Sequence, residues 1–208
     1  MRRTLPKTVH GRGVEMKQSV LIVGVGGQGT LLAGRLLGEY AKAKGLDAKV
    51  SEVHGMAQRG GSVVTHVRIG ENVASPLIDV QSADVLLSFE PVEALRALEM
   101  LKPGGMLICD ESQVPPIAVN MGTAAYPQDV KEQVAAYTDR YIFVDATGIA
   151  RELGSTKAAN IVLLGGYTQC MGMDAETMKQ VIREGVKPAF VELNLKAFQA
   201  GLEQAKLS

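Results

Sequence analysis

The chain has 208 residues, which suits one large domain, and 46% of them are apolar, enough for a sizeable core. Its 22 basic residues equal its 22 acidic residues, and aromatic residues make up only 4%, with no tryptophan. This balance argues against nucleic acid and against an anionic membrane surface as partners, because neither a basic field nor a base-stacking surface is encoded. No apolar stretch approaches the roughly 20 residues that a membrane helix needs, so no membrane span is expected.

The two cysteines, Cys109 and Cys170, stand far apart, and no Cys-x-x-Cys pair occurs. An iron–sulfur cluster or a structural zinc site needs several closely grouped ligands, so we expect no metal site on this chain. A reducing, cytoplasmic compartment fits this cysteine usage. Residues 1–15 are basic but lack the apolar core of a secretory signal. We expect them to be an N-terminal extension of a single domain that spans residues 16–208.

The first predicted strand, residues 20–25, ends in a glycine cluster that a predicted helix, residues 31–40, follows at once. Gly24, Gly26 and Gly29 complete the spacing G-x-G-x-x-G. Glycines let the backbone turn sharply and approach a ligand, and the free N–H groups of a helix start attract an anion. The pattern predicts a ligand-binding turn or, alternatively, a tight turn that only lets the helix pack closely on the sheet.

Residues 48–53 form the second predicted strand, and Glu52 near its end lies 23 residues past Gly29. A dinucleotide-binding fold places the acid that holds the ribose at an offset of roughly 20 residues. A stand-alone NAD(P)-dependent oxidoreductase is therefore one interpretation. In the loop that follows, His54 offers a titratable imidazole and Arg59 a guanidinium for a carboxylate or phosphate. Alternatively, His54 anchors the loop and Arg59 pairs with Glu52 or with a neighbouring subunit.

The rest of the chain alternates short apolar runs, typical of buried strands, with helical patterns. Further strands are predicted at residues 62–69, 84–89, 106–109 and 140–144. Helices are predicted at residues 91–101, 129–137, 146–153, 158–171, 174–185 and from 188 onward, with residues 102–105 ending the first of them. The alternation predicts an α/β fold: a three-layer α/β/α, Rossmann-like, mostly parallel sheet with a helical C-terminal third.

Polar groups follow three of the predicted strands, in residues 24–29, 52–61 and 88–90. Ligands bind outside the carboxyl ends of the strands in open parallel sheets, so we expect these segments to converge on one crevice, where Gln28 offers an amide. Glu90 precedes a predicted helix, whose dipole its charge complements. Asn160 lies in a nearly all-apolar helix and needs a hydrogen-bond partner if it is buried.

Four segments together resemble the gamma-type subunit or domain of 2-oxoacid:ferredoxin oxidoreductases. They are residues 24–29, 51–63, 90–96 and 160–165, and the resemblance spans about residues 16–202. The second segment contains His-Gly-Met-Ala-Gln-Arg-Gly-Gly, which is similar to the small (beta) subunits of the indolepyruvate ferredoxin oxidoreductase branch. Pyruvate-type gamma subunits tend to have a Ser-Tyr-Gly-Pro-Glu-like segment at this place, from which the present chain departs.

The resemblance implies an activity. An aryl 2-oxo acid and coenzyme A, a co-substrate, are converted by oxidative decarboxylation to an acyl-CoA and carbon dioxide, with the electrons passing to ferredoxin. In that family the thiamine diphosphate, its Mg²⁺ and the iron–sulfur clusters sit on a larger (alpha) partner subunit. The isolated chain is therefore expected to carry no cofactor of its own and to be inactive.

We further hypothesise that the strand-end crevice faces the partner and helps to order the active site or to bind coenzyme A, with a turn shaped by Gly24, Gly26, Gly27, Gln28 and Gly29. Arg59 would meet a carboxylate or phosphate there. No catalytic residue is assigned beyond the candidates His54 and Arg59. A non-catalytic assembly subunit, whose glycine turn only packs against a partner, stays open beside the NAD(P) alternative.

Overall fold

The computed structural model describes residues 17–54 and 61–207. Its strands are β1 (Gln18–Val25), β2 (Asp47–His54), β3 (Ser62–Gly70), β4 (Ala83–Ser88), β5 (Leu101–Asp110) and β6 (Tyr141–Val144). Its helices are α1 (Thr30–Ala43), α2 (Pro91–Ala97), α3 (Ile117–Asn120), α4 (Val130–Tyr137), α5 (Ala146–Glu152), α6 (Ala159–Cys170), α7 (Ala175–Gly185) and α8 (Val191–Leu207). None of the helices in these ranges combines the length and the hydrophobicity that a bilayer crossing requires.

The strands form one sheet in the order β2-β3-β1-β4-β5-β6. β1, β4, β5 and β6 pair in parallel, whereas β3 is antiparallel to both of its neighbours, β1 and β2. The predicted mostly parallel sheet is confirmed. β3 runs against the other strands because residues 55–61 are too few for the crossover helix that a parallel connection needs.

Helices cover both faces of β1, which explains why this strand is apolar at nearly every position. Val20 and Ile22 face a core built with α1, α5, α6, α7 and α8. Leu21 and Val23 face a second core built with α2 and α4. All four side chains are at most 1% exposed. The predicted three layers and the helical C-terminal third are confirmed.

The boundary between α2 and β5 differs from the prediction. The helix was expected to reach residue 101, but α2 ends at Ala97, a 3-10 turn covers Leu98–Met100, and β5 begins at Leu101. The carbonyls of Glu99 and Met100 accept hydrogen bonds from the turn before β4, so they are captured by tertiary contacts. Residues 102–105, expected to terminate the helix, form an irregular start of the strand, where the register against β4 shifts.

α6 is buried on nearly every side, as its apolar sequence predicts, and α8 packs against it backbone to backbone. A Cβ atom added at Gly201 would lie 3.1 Å from the Cα atom of Gly165 and would overlap the carbonyl oxygen of Val162. The two glycines therefore allow the close approach of α6 and α8. This approach fixes where the first turn of α6 lies above the sheet.

Gly201→Ala is expected to lower the free energy of unfolding by about 1–3 kcal/mol, because the new methyl group meets backbone atoms that cannot move independently. The matched control is Gly38→Ala in α1, where the nearest atom to a new Cβ is Val50 Cγ2 at an ordinary 3.5 Å. The control should be neutral or stabilising by up to about 1 kcal/mol, since alanine favours the helix. Chemical denaturation measures both variants, and equal effects would contradict the close α6–α8 packing.

Candidate functional site

A crevice of about 220 Å³ opens at the carboxyl ends of the parallel strands, between the glycine turn after β1 and the start of α6. Its lining residues come from the glycine turn, from the segments after β4 and β5, from α5 and from the beginning of α6. They include Gly27, Gln28, Phe89, Asp110, Thr147, Lys157 and Asn160. The crevice therefore lies where an open α/β sheet is expected to bind its ligand.

The glycine turn has the geometry that its spacing predicts. Gly27 and Gly29 have φ angles of 101° and 86°, in the left-handed region that favours glycine. A Cβ atom at Gly24 would approach Gln28 Oε1 to 2.7 Å, so glycine there leaves space for the Gln28 side chain. The turn is closed by a hydrogen bond from Gln28 N to Val25 O at 3.1 Å.

The Gln28 side chain ties this turn to the end of β4. Its Oε1 accepts from Val25 N at 2.6 Å, and its Nε2 donates to Phe89 O at 2.9 Å. Gly26 N donates to Gly61 O at 3.0 Å, which brings the last residue of the 54–61 loop to the same turn. The predicted segments 24–29 and 88–90 therefore meet, and the last residue of the segment 52–61 joins them. Gln28 borders the crevice while both groups of its amide hold the turn in place.

Glu52 lies away from the crevice. Its Oε2 accepts from Thr30 Oγ1 at 3.2 Å and from Thr65 Oγ1 at 3.0 Å, at the start of α1. Because β3 is inserted between β1 and β2, Glu52 is one strand further from the glycine turn than the acid of a dinucleotide fold. This placement does not favour the NAD(P) alternative.

Glu90 is buried, with 1% of its surface exposed, and joins three parts of the chain. It caps α2 by accepting from the backbone N–H groups of Val92 and Glu93 at 2.7 and 3.0 Å. Its second oxygen accepts from Val114 N at 3.3 Å and from Tyr126 Oη at 2.5 Å. Burial is the larger cause, and the hydrogen bond to Glu90 the second, that raises the pKa of Tyr126 far above its usual value. Glu90 therefore stabilises the helix start and the connection that follows β5.

Asn160 carries the unsatisfied group of the crevice. Its side chain is buried, and Nδ2 donates to Gly29 O at 3.3 Å. Its Oδ1 has no hydrogen-bond partner among the described residues. A buried acceptor without a donor costs about 1–3 kcal/mol, so a ligand group that donates to it would bind favourably. The sequence indicated that Asn160 needs a partner but not that it meets the glycine turn.

The sequence interpretation missed two further polar residues of the crevice. Asp110 is 1% exposed and accepts from Thr147 Oγ1 at 2.6 Å and from Ala146 N at 3.1 Å. Burial raises the pKa of Asp110, against the opposing effect of these hydrogen bonds. Its position directly after a buried strand was the available signal. Lys157 is exposed and lines the crevice. It gives this side of the crevice a positive charge.

The donor groups present do not fit a metal centre. Across residues 17–54 and 61–207, no three His, Cys, Asp or Glu side chains are grouped so that they could hold an ion. Cys109 is fully buried, its Sγ donates to Asp110 O, and burial raises its pKa well above the usual value. The side chain of His54 and the whole of Arg59 lie outside the described residues, so their predicted roles stay predictions.

Residues 19–204 match the family of pyruvate ferredoxin/flavodoxin oxidoreductases. Subunit IorB of the indolepyruvate oxidoreductase of Pyrococcus horikoshii is 44% identical over 193 residues, which cover 90% of this chain and 96% of that subunit. The gamma subunit of a keto/oxoacid ferredoxin oxidoreductase from Geobacter sulfurreducens shares the fold with a TM-score of 0.70 and 28% identity. The match covers 92% of this chain and 99% of that one.

A third similar protein is a longer chain. The 2-oxoglutarate:ferredoxin oxidoreductase of Magnetococcus marinus, solved with 2-oxoglutarate, coenzyme A and succinyl-CoA, has a TM-score of 0.69 and 19% identity. The match covers 92% of the present chain but only 31% of that one. The resemblance to gamma-type subunits that the sequence motifs indicate is confirmed, and the chain belongs to the pyruvate ferredoxin/flavodoxin oxidoreductase family.

Proposed function

We propose that this chain is the small subunit of a ferredoxin-dependent oxidoreductase that acts on indolepyruvate or another aryl 2-oxo acid. The reaction is oxidative decarboxylation of the acid with coenzyme A, which gives an acyl-CoA, carbon dioxide and two electrons for ferredoxin. One observation carries the proposal: the indolepyruvate oxidoreductase subunit of P. horikoshii matches this chain over 96% of its own length at 44% identity. The family match, residues 19–204, includes every residue that lines the crevice.

The proposal assigns the electron-handling groups to a larger (alpha) subunit. We assign thiamine diphosphate with Mg²⁺ and the iron–sulfur clusters to that subunit, as the resemblance implies, and the two cysteines of this chain are fewer than the four that hold a cluster. The small subunit contributes a shaped, hydrogen-bonding crevice instead. Its role is to bind and orient a substrate group beside the partner's reaction centre.

We propose coenzyme A as the ligand of the crevice, which has room for only part of that molecule. The fit is supported by the orphan Oδ1 of Asn160, since coenzyme A offers amide and amine donors, and by Lys157, which suits a phosphate. The turn formed by Gly24, Gly26, Gly27, Gln28 and Gly29 brings the start of α1 to the same place, where a helix N-terminus favours an anion. Coenzyme A supplies the thiol that accepts the acyl group.

The subunit assignment predicts no turnover by this chain alone. The purified chain should oxidise no 2-oxo acid in the presence of coenzyme A and an artificial electron acceptor. Adding the larger subunit should restore turnover and saturate at a fixed stoichiometry. Robust activity of the isolated chain, or turnover that depends on NAD(P), would overturn the assignment and favour the stand-alone oxidoreductase.

Asn160→Leu is expected to weaken coenzyme A binding about 5- to 10-fold, the value of one lost hydrogen bond. The free energy of unfolding without ligand should fall by no more than about 1 kcal/mol. Leucine loses the hydrogen bond from Asn160 Nδ2 to Gly29 O, but it also removes the buried Oδ1 that lacks a donor, and the two effects offset each other. Titration calorimetry measures the affinity and chemical denaturation the stability. Coenzyme A should also raise the melting temperature of the wild-type chain, whereas NADH should not.

Asn194→Leu is the matched control for this variant. Asn194 is also buried, and its Nδ2 donates to Phe190 O in the helical layer, away from the crevice residues. The control should lose stability and keep its affinity for coenzyme A. If both leucine variants lose only stability, Asn160 is a packing residue and the coenzyme A proposal loses its main support.

Arg59→Ala is expected to weaken coenzyme A binding about 10-fold or more in the reconstituted enzyme, because a charged hydrogen bond to phosphate contributes about 1.5–3 kcal/mol. Arg59→Lys should retain part of the affinity, since lysine keeps the positive charge and loses only the planar, bidentate hydrogen bonding of the guanidinium. The KM for coenzyme A measures both effects. Unchanged turnover and KM in Arg59→Ala would remove the phosphate-binding role.

A further inference from the structure

The connection between β5 and α4 projects from the carboxyl edge of the sheet. We call residues 113–126, which include α3, the apolar lobe. From 113 to 125 every residue is exposed except Pro116 and Val119, which are half-buried, and no residue of α3 is buried. The lobe therefore contributes almost nothing to the hydrophobic cores of its own chain.

The exposed surface of the lobe is uncharged and carries large apolar side chains. Met121 and Ile117, at 71% and 62% exposed, are the most exposed large apolar side chains in the described part of the chain. No charged residue occurs from Gln113 to Gln128, although charged residues make up 21% of the sequence. The buried centres of protein–protein interfaces are likewise depleted of charge and rich in apolar side chains such as methionine.

Hydrogen bonds order the lobe and tie it to the rest of the chain. Its backbone forms consecutive turns, with hydrogen bonds from Asn120 N to Pro116 O and from Met121 N to Ile117 O at 3.1 and 2.9 Å. Its two ends are anchored to the buried Glu90, through Val114 N and the Tyr126 hydroxyl. An ordered projection that keeps its large apolar side chains in water is expected where another surface covers it.

The lobe stands beside the crevice, because Val114 at its base lines that crevice together with Ser112. We propose that the apolar lobe is the docking surface for the larger, cofactor-carrying subunit. This inference rests on the proposed function, because a ligand held in the crevice must reach the reaction centre of the partner. A surface at the rim of the crevice joins the two subunits without closing the path between them.

The larger subunit fits this surface better than a second copy of the chain. In the M. marinus enzyme the matching region is 31% of one longer chain, so the remaining two-thirds are covalently attached to a domain of this fold. Coenzyme A in the crevice also has to receive an acyl group, which the proposed function generates on the larger subunit. Contact between two small subunits at the lobe would cover the rim of the crevice without bringing that acyl group to the thiol.

The test compares two double variants by surface plasmon resonance against the immobilised larger subunit. Ile117→Asp with Met121→Asp places two charges on the lobe. Leu77→Asp with Phe190→Asp is the matched control, which alters side chains that are 54% and 51% exposed on other elements. The lobe variant should bind at least about 100-fold more weakly, and the control within about threefold of wild type. A third double variant, Ile117→Leu with Met121→Leu, keeps both side chains apolar and should bind with wild-type affinity.

Four further results separate the possible outcomes. The lobe variant should keep the wild-type melting temperature and the coenzyme A affinity of the isolated chain, since none of its changed residues lines the crevice. Equal binding by the lobe variant and wild type would overturn the docking surface while leaving the proposed function intact. A wild-type dimer that the lobe variant breaks, with unchanged binding of the larger subunit, would assign the lobe to self-association and overturn the inference. Absence of any wild-type complex would overturn the proposed function itself.

Discussion

The contact between the first turn of α6 and the glycine turn after β1 is the interaction on which the candidate site depends. Gly165 and Gly201 let α6 and α8 approach backbone to backbone, and the apolar residues of α6 are buried on nearly every side. The helix therefore has little freedom to rotate or shift. Asn160 is held against Gly29 by a hydrogen bond at 3.3 Å, and its Oδ1 meets no donor within residues 17–54 and 61–207.

A series of hydrogen bonds connects this contact to the rim of the crevice. Gln28 joins the glycine turn to Phe89, and the next residue, Glu90, holds both ends of the apolar lobe. The crevice and the proposed docking surface are therefore connected through one series of hydrogen-bonded residues. This linkage suits a subunit that orients a substrate group for chemistry on its partner.

Much of the fold could be predicted from the sequence, because the signals are local. The apolar runs mark the buried strands, the glycine spacing marks the first turn, and the resemblance of residues 51–63 to the indolepyruvate branch agrees with the relatives found. The position of β3 between β1 and β2 could not be predicted from spacing, since strand order depends on long-range pairing. Because of this insertion, the offset from Gly29 to Glu52 does not mark a ribose-binding acid, and the Glu52 carboxylate accepts hydrogen bonds from Thr30 and Thr65.

The composition of the crevice was less predictable than the fold. Asp110 and Lys157 come from distant parts of the chain, and only tertiary packing brings them to one place. Gln28 was predicted to offer its amide to a ligand, but a sequence does not reveal that the Val25 amide and the Phe89 carbonyl already engage both of its groups. The early end of α2 likewise follows from hydrogen bonds that Glu99 and Met100 make across the fold.

The central claim is that the crevice between the glycine turn and α6 binds coenzyme A through Asn160. The most direct measurement is a titration of the isotopically labelled chain with coenzyme A, followed by NMR at the side-chain amide of Asn160. A chain of 22.1 kDa is within reach of that method. The account predicts saturable shifts of the Asn160 side-chain amide and of the Gly27 and Gly29 backbone amides, with no comparable response to NADH. Saturable binding of coenzyme A that leaves these three signals unchanged would contradict it.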